Sequence, residues 1–292
     1  MKISADLSPL LDSLYLPSAA WLHRHRKRRE RALVVGLCGA QGSGKSTLSA
    51  LLQAVLPSGF NQRVVTFSID DIYKTKAERD AMAREVHPLF ATRGVPGTHD
   101  VNLGIVTITS LQKQNSTQST AIPAFDKARD DRRPENAWPR IQGPVDVIIF
   151  EGWCVGALPQ PEEALMAPIN ALETRDDPGG EWRTAVNQAL DGEYRKLFAL
   201  IDVLLMLKVD SMSSVFEWRR LQERKLAQKA AEEQLPASEL RLMSDDQLDR
   251  FIMHYERLTR HILSEMPARA DIVFPLDATH NPAHVLINKP IE

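Results

Sequence analysis

Leu33-Val34-Val35-Gly36-Leu37-Cys38-Gly39-Ala40-Gln41-Gly42-Ser43-Gly44-Lys45-Ser46-Thr47 decides the fold. Its first six residues are apolar without polar alternation, as in a strand buried on both faces of a parallel sheet. The next eight match G-x-x-x-x-G-K-[ST] in full, a match expected by chance in roughly one chain in a hundred of this length. Thr47–Leu56 follows as an amphipathic stretch, so the order is strand, glycine loop, helix. Glycines let consecutive N–H groups turn inward on an anion, and the helix start adds partial positive charge. Gly39, Ala40, Gln41, Gly42, Ser43, Gly44, Lys45, Ser46 and Thr47 are therefore candidates for holding ATP. Lys45 can reach the β- and γ-phosphates, and the Ser46 hydroxyl can ligate Mg²⁺. An NTPase motor or a GTPase switch would share this loop, so it leaves the reaction open.

Four more apolar runs rich in Val, Ile and Leu lie outward from it: Arg63–Ile69, Val145–Phe150, Val203–Val209 and Asp271–Pro275. Helical stretches separate them: Glu181–Leu200 before the fourth run, Ser213–Glu233 and Asp245–Ser264 after it. Strands alternating with helices predict an α/β fold of the P-loop NTPase type, with a five-stranded parallel sheet and helices on both faces. Residues 1–292 read as a single domain, with a helical N-terminal extension over 1–30 packed on the sheet. Residues 85–144 are dense in Gly, Pro, Asn and charge, and read as a substrate-binding insert. Val155–Gly180, with its Asp177-Pro178-Gly179-Gly180 turn signal, reads as an exposed and partly mobile loop.

With 43% hydrophobic and 25% charged residues, the 292-residue chain has an ordinary globular composition. Its net charge of −2 gives no reason to expect nucleic acid or an acidic membrane as partner. The basic run His23–Arg29 reads as a solvated helix face. No stretch approaches the 18 or so apolar residues of a membrane span. Cys38 and Cys154, without an export signal, read as reduced thiols of a cytoplasmic protein, each a small buried packing residue. Oligomeric state is not legible.

Two further strand ends carry carboxylates. Asp70 and Asp71 follow Phe67-Ser68-Ile69, and Glu151 follows the run Val147–Phe150. Ligands of parallel sheets sit beyond the carboxyl ends of strands. Asp70 is placed to take the proton of an attacking hydroxyl, while Asp71 is assigned to capping. Glu151 would hold Mg²⁺ through water.

The order of this loop, Ser68-Ile69-Asp70-Asp71-Ile72-Tyr73, Arg93-Gly94-Val95-Pro96-Gly97-Thr98-His99-Asp100, Pro123-Ala124-Phe125-Asp126-Lys127, Phe150-Glu151-Gly152-Trp153, Glu217-Trp218-Arg219-Arg220-Leu221-Gln222-Glu223 and Met243-Ser244-Asp245 resembles the D-glycerate 3-kinases of the plant and fungal type. These belong with the uridine kinases, pantothenate kinases and phosphoribulokinases. The resemblance runs from about Leu33 to Pro282, with gaps. It implies a helical lid, here over 211–250, and Asp70 in the place of the base. It places Arg93, His99, Asp100, Lys127 and Arg132 in the substrate pocket, and Arg219 on the lid, where a lid arginine would spread transition-state charge. Two departures stand out. Lys127-Ala128-Arg129-Asp130-Asp131-Arg132 lacks the glycines usual after Phe-Asp-Lys, and Leu242-Met243-Ser244 replaces the common Gly-Met-Ser.

The expected activity is transfer of the γ-phosphate of ATP to an alcohol of a small anionic acceptor, foremost D-glycerate. A pantothenate- or nucleoside-type kinase and a non-catalytic ATP-binding regulator are the alternatives. The loop Asp277–Pro282 after the last strand is a candidate neighbour of the adenine.

Overall fold

The computed structural model of the chain describes residues 10–232, 243–277, 281–282 and 284–289. Six strands form the main sheet: β1 (Leu33–Gly39), β2 (Val64–Ser68), β3 (Val147–Gly152), β4 (Val203–Lys208), β5 (Ile272–Pro275) and β6 (Leu286–Ile287). Their spatial order is β6-β5-β4-β1-β3-β2. The five expected strands are all present and pair in parallel. The sheet has six strands rather than five because Leu286–Ile287 adds antiparallel to β5. That pair is two residues long and both side chains are exposed, so it carries no periodic signal.

Among the described residues, eight α-helices of six or more residues pack around it: α1 (Leu16–Lys27), α2 (Lys45–Phe60), α3 (Lys76–Glu85), α4 (Val101–Lys113), α5 (Ala171–Asp176), α6 (Glu181–Ala189), α7 (Met212–Glu232) and α8 (Asp245–Glu265). Side chains alternate along β1. Leu33, Val35 and Leu37 join one buried cluster with α1, α2 and α7 residues, including Trp21, Leu52 and Val215. Val34 and Cys38 join the other, with Ile108 of α4, Tyr194 and Leu258 of α8. Burying both faces is what an apolar run without alternation is for, and each fully buried aliphatic side chain contributes about 1.5–3 kcal/mol.

Of the expected 1–30 extension, residues 1–9 lie outside the described residues; the rest packs on the sheet, burying Tyr15, Ala19, Trp21 and Leu22. Its basic run is less solvated than the sequence implies. Arg26 pairs with Asp146 at 2.9 Å and Arg29 with Asp202 at 3.4 Å, the residues just before β3 and β4. The run therefore ties α1 to the amino ends of two strands, while Arg24, Lys27 and Arg28 face water.

Val155–Gly180 also differs from its sequence reading as an exposed, partly mobile loop. It is not a loose loop: it carries α5 and buries Leu165, Leu172, Glu173 and Asp177. Arg257 of α8 reaches Glu173 at 2.7 Å, and Arg183 of α6 reaches Asp177 at 3.0 Å, with all four side chains less than a tenth exposed. Arg250 and Asp176 close the same seam at 2.6 Å.

Because β1 lies between β3 and β4, the carboxyl ends of β1, β2 and β3 open on one crevice, where chain direction across the sheet reverses. No helix among the described residues is long and apolar enough to cross a membrane.

Candidate active site

That crevice holds a cavity of about 670 Å³. Its floor is the glycine loop. Gly42 and Gly44 have φ of 80° and 90°, and Gly44 caps α2 from the left-handed region. Gln41, Gly42, Gly44, Lys45, Ser46 and Thr47 line the cavity, while Gly39, Ala40 and Ser43 are buried beneath it. Lys45 Nζ donates to Gly39 O at 2.8 Å and Ala40 O at 3.1 Å, which holds the ammonium at the mouth of the loop.

Asp70 sits in a single 3₁₀ turn, Ile69–Ile72, directly after β2. Ser68 Oγ accepts the Asp70 N–H at 3.2 Å, and the Asp71 carboxylate accepts the Ser68 N–H at 3.0 Å. Asp71 thus closes the turn, as its capping assignment expects, and Asp70 is presented to the cavity. Asp70 Oδ1 accepts from the Tyr73 hydroxyl at 2.8 Å, and Oδ2 accepts from Lys127 Nζ at 2.6 Å. Burial works to raise the Asp70 pKa, but the Lys127 charge and the two hydrogen bonds outweigh it and hold it below the ordinary value. Glu151 pairs in register with Ser68 across β3 and β2, which brings it beside Asp70. Burial pushes its pKa up, and its Oε2 is buried without a hydrogen-bond partner among the described residues. An orphaned carboxylate oxygen facing a phosphate loop suits a cation ligand.

The far wall comes from the 85–144 insert and α8. Arg93 lines the cavity, its guanidinium paired with Asp130 and 5.5 Å from the Phe125 ring centroid. Its backbone is held by aromatics: Tyr255 OH donates to Arg93 O at 3.0 Å and Trp153 Nε1 to Gly94 O at 2.9 Å. Gly94 has φ of 138°, and a Cβ there would stand 2.0 Å from Tyr255 OH, so only glycine fits.

Lys127 is carried by the hairpin Phe125–Asp126/Asp131–Arg132. Its turn explains the missing glycines: Asp130 itself adopts the left-handed region, φ 59°. Arg79, fully buried, holds it there, with Nη2 2.7 Å from Asp130 O and 3.1 Å from its carboxylate.

His99, Asp100 and Arg132 were expected in the substrate pocket, yet they lie one layer behind the wall. His99 is fully buried and stacked on Tyr73, centroids 4.6 Å apart, with Nδ1 2.5 Å from Tyr194 OH. Asp100 caps α4 and pairs with Arg132 at 3.2 Å; Arg132 donates to Tyr73 O at 2.8 and 3.1 Å. The three hold Tyr73, which holds Asp70. Their motifs carry charge, but only the tertiary fold shows which way the charge faces.

Arg219 lines the cavity from α7, 2.9 Å from Glu223 and 5.6 Å from the Phe251 ring centroid. Trp153, Trp218, Phe251 and Tyr255 also line the wall; the two tryptophans lie in motifs that carry the resemblance, without a role of their own, and Phe251 and Tyr255 were not singled out from the sequence. The i, i+4 spacing of Phe251 and Tyr255 on α8 was the available signal. Both cysteines are fully buried, and burial pushes the Cys38 thiol up to about 12, so neither is a reactive group here. Of the lid, residues 233–242 lie outside the described residues, as do 278–280 of the candidate adenine loop.

No family model matches the chain. It is 32% identical over 248 residues to an uncharacterized kinase of Schizosaccharomyces pombe, mug58, covering 80% of this chain and 82% of that protein. It is 30% identical over 231 residues to the chloroplastic D-glycerate 3-kinase of Arabidopsis thaliana, covering 76% of this chain and 46% of that one. The chain thus spans about half the length of the Arabidopsis protein. Among solved structures, the D-glycerate 3-kinase of Cryptococcus neoformans var. grubii superposes with a TM-score of 0.75 at 24% identity, covering 94% of this chain and 99% of that one. At that identity the likeness is one of fold.

Proposed function

The chain belongs to the kinase family of the fission-yeast protein mug58 and is a homologue of plant D-glycerate 3-kinase, and on that premise we propose that it phosphorylates the 3-hydroxyl of D-glycerate. It is an ATP-dependent kinase of a small molecule. One observation carries the reading: the Asp70 carboxylate and the Lys127 ammonium share the cavity of the phosphate loop, with Arg93 on the same wall.

The chemistry follows from charge and placement. The loop Gly39–Thr47 takes the triphosphate, with Lys45 on the β- and γ-phosphates. Asp70 accepts the proton of the acceptor hydroxyl as its oxygen attacks the γ-phosphorus in line. Lys45 and Arg219 offset the charge on the transferring group. Lys127 and Arg93 hold the acceptor's carboxylate. His99, Asp100 and Arg132 contribute by fixing the Tyr73–Asp70 unit. Ser46 and Glu151 are the residues that would hold Mg²⁺, which would supply positive charge to offset that of the phosphates. Mg²⁺ relies on one or two carboxylates plus phosphate and water, and the described residues offer no cluster of three or more His, Cys, Asp or Glu to a metal. Two free buried thiols support a reducing, cytoplasmic setting.

The test is an ADP-release assay over D-glycerate, glycerol, pantothenate and uridine, with the phosphorylated position identified. D-Glycerate should give 3-phosphoglycerate well above the water rate; turnover of another acceptor alone would overturn the glycerate assignment. Asp70→Asn should lose turnover by about 10²–10⁴-fold, the usual worth of a general base, while nucleotide binding persists. An equal loss of nucleotide binding would remove Asp70 from that role.

A further inference from the structure

Lys127 and Asp70 hold each other, and each is needed by a different end of the acceptor. Lys127 Nζ lies 2.6 Å from Asp70 Oδ2. The opposite oxygen, Oδ1, is fixed by Tyr73, whose ring is buried, so any exchange of partners is confined to Oδ2. The Lys127 side chain is 62% exposed, on a hairpin with two-residue strands. An ammonium on a flexible four-carbon stem moves between acceptors at small cost. Arg93, the other cation of that wall, is engaged with Asp130 and with the Phe125 ring.

We propose that Lys127 selects an acceptor bearing a carboxylate by handing over: the acceptor's carboxylate replaces Asp70 as its partner, and the vacated Asp70 Oδ2 accepts the hydroxyl. In the step that follows, the new bond joins the acceptor oxygen to the γ-phosphorus. The bond from that phosphorus to the bridging oxygen breaks, ADP keeps the electron pair, and the hydroxyl proton goes to Asp70. A neutral alcohol cannot make this exchange, because a hydroxyl does not compete with a carboxylate for an ammonium. It must attack while Lys127 still occupies Oδ2. Discrimination against neutral analogues then appears in kcat as well as in KM. The idea rests on the glycerate reading only in supposing that the acceptor is an anion.

The experiment compares matched acceptors, D-glycerate with glycerol and pantothenate with pantothenyl alcohol, on the wild-type chain, Lys127→Gln and Lys127→Arg. The wild type should favour the anion of whichever pair it accepts, at saturation. In Lys127→Gln the ratio of kcat values, anion over neutral, should fall by about 10- to 100-fold, the worth of one charge-assisted hydrogen bond. Lys127→Arg should restore part of it. Unchanged thermal midpoints and nucleotide binding exclude a folding defect. A fall in both kcat values by one factor overturns the proposal, since Lys127 would then serve the phosphates. So does a change in KM alone, which would make Lys127 a simple clamp, and so does a wild-type preference for the neutral acceptor. If pantothenate is turned over and glycerate is not, the glycerate reading fails while the pantothenate pair still decides the hand-over.

Discussion

The Tyr73 hydroxyl donates to Asp70 Oδ1, and its ring is clamped between His99, stacked at 4.6 Å, and Phe125, edge-on at 5.2 Å. Tyr73→Phe keeps that ring and removes the donor. A lost hydrogen bond to a charged group is worth about 1.5–3 kcal/mol; with part recovered from water at this cavity-lining carboxylate, kcat should fall about 10-fold. KM for ATP should hold. Steady-state kinetics check both, and an unchanged kcat would show that Lys127 alone orients Asp70. Residues of this kind divide by how their role is encoded. Lys45, Asp70 and Glu151 are readable because each follows or ends an apolar run, so adjacency in sequence fixes their place at the crevice. Asp130 is not readable: its left-handed backbone, φ 59°, depends on Arg79, a residue from α3 far upstream. The motif lacked glycine, and a tertiary contact supplied the geometry that glycine usually gives.

At the level of elements, strands β1 to β5 were legible, because burial on both faces leaves an unbroken apolar run. The 155–180 segment was not. Its prolines and its Asp-Pro-Gly-Gly turn are loop signals, whereas what orders it is ionic and distant in sequence: Glu173 with Arg257, Asp176 with Arg250. Asn170 Nδ2 adds a bond to Glu256 at 3.1 Å. All three contacts end on α8, which also carries Phe251 and Tyr255 of the cavity wall. The seam therefore sets the pose of a helix that serves the site. Arg257→Ala should leave Glu173, which has no exposed surface, as an uncompensated buried charge. Breaking such a pair costs about 3–5 kcal/mol, readable by urea denaturation. The paired change Glu173→Leu with Arg257→Met should recover most of it, since an apolar replacement removes the desolvation penalty along with the attraction. A paired variant no more stable than Arg257→Ala would mean that the hydrogen bonds Arg257 gives to Ala164 O and Ala167 O matter more than the charge pair.

Across the whole molecule, the two faces of the sheet are apolar clusters, and the second layer of the site is sunk into one of them. His99 illustrates the cost. It is fully buried between Tyr73 and Tyr194, and burial, with Lys74 adding to it and Asp70 opposing, pushes its pKa from 6.5 down to about 3. Gly97 N–H donates to Tyr194 OH, which shares a hydrogen bond with His99 Nδ1, while Nε2 has no partner among the described residues. The sign of the pH dependence follows. Above 6.5 the ring is neutral in both folded and unfolded chains, so stability is unaffected by pH through this group. Between 6.5 and about 3 the unfolded chain binds a proton that the folded chain refuses, and stability falls as the pH drops, by at most about 1.4 kcal/mol per pH unit. Below about 3 the folded ring also protonates and the loss levels off. His254, which burial shifts in the same direction, adds to the slope. His99→Phe keeps a ring against Tyr73 and cannot take a proton. At neutral pH it should be less stable than the wild type by about 1 kcal/mol, for the lost Tyr194 bond. Its stability should nevertheless decline less steeply as the pH falls from 6.5 towards 3, so the gap narrows on acidification and can invert. Urea midpoints measured over that range would show this. Parallel curves for the two proteins would mean that His99 is protonated together with its surroundings in the folded state, and that the acid sensitivity of this layer lies elsewhere.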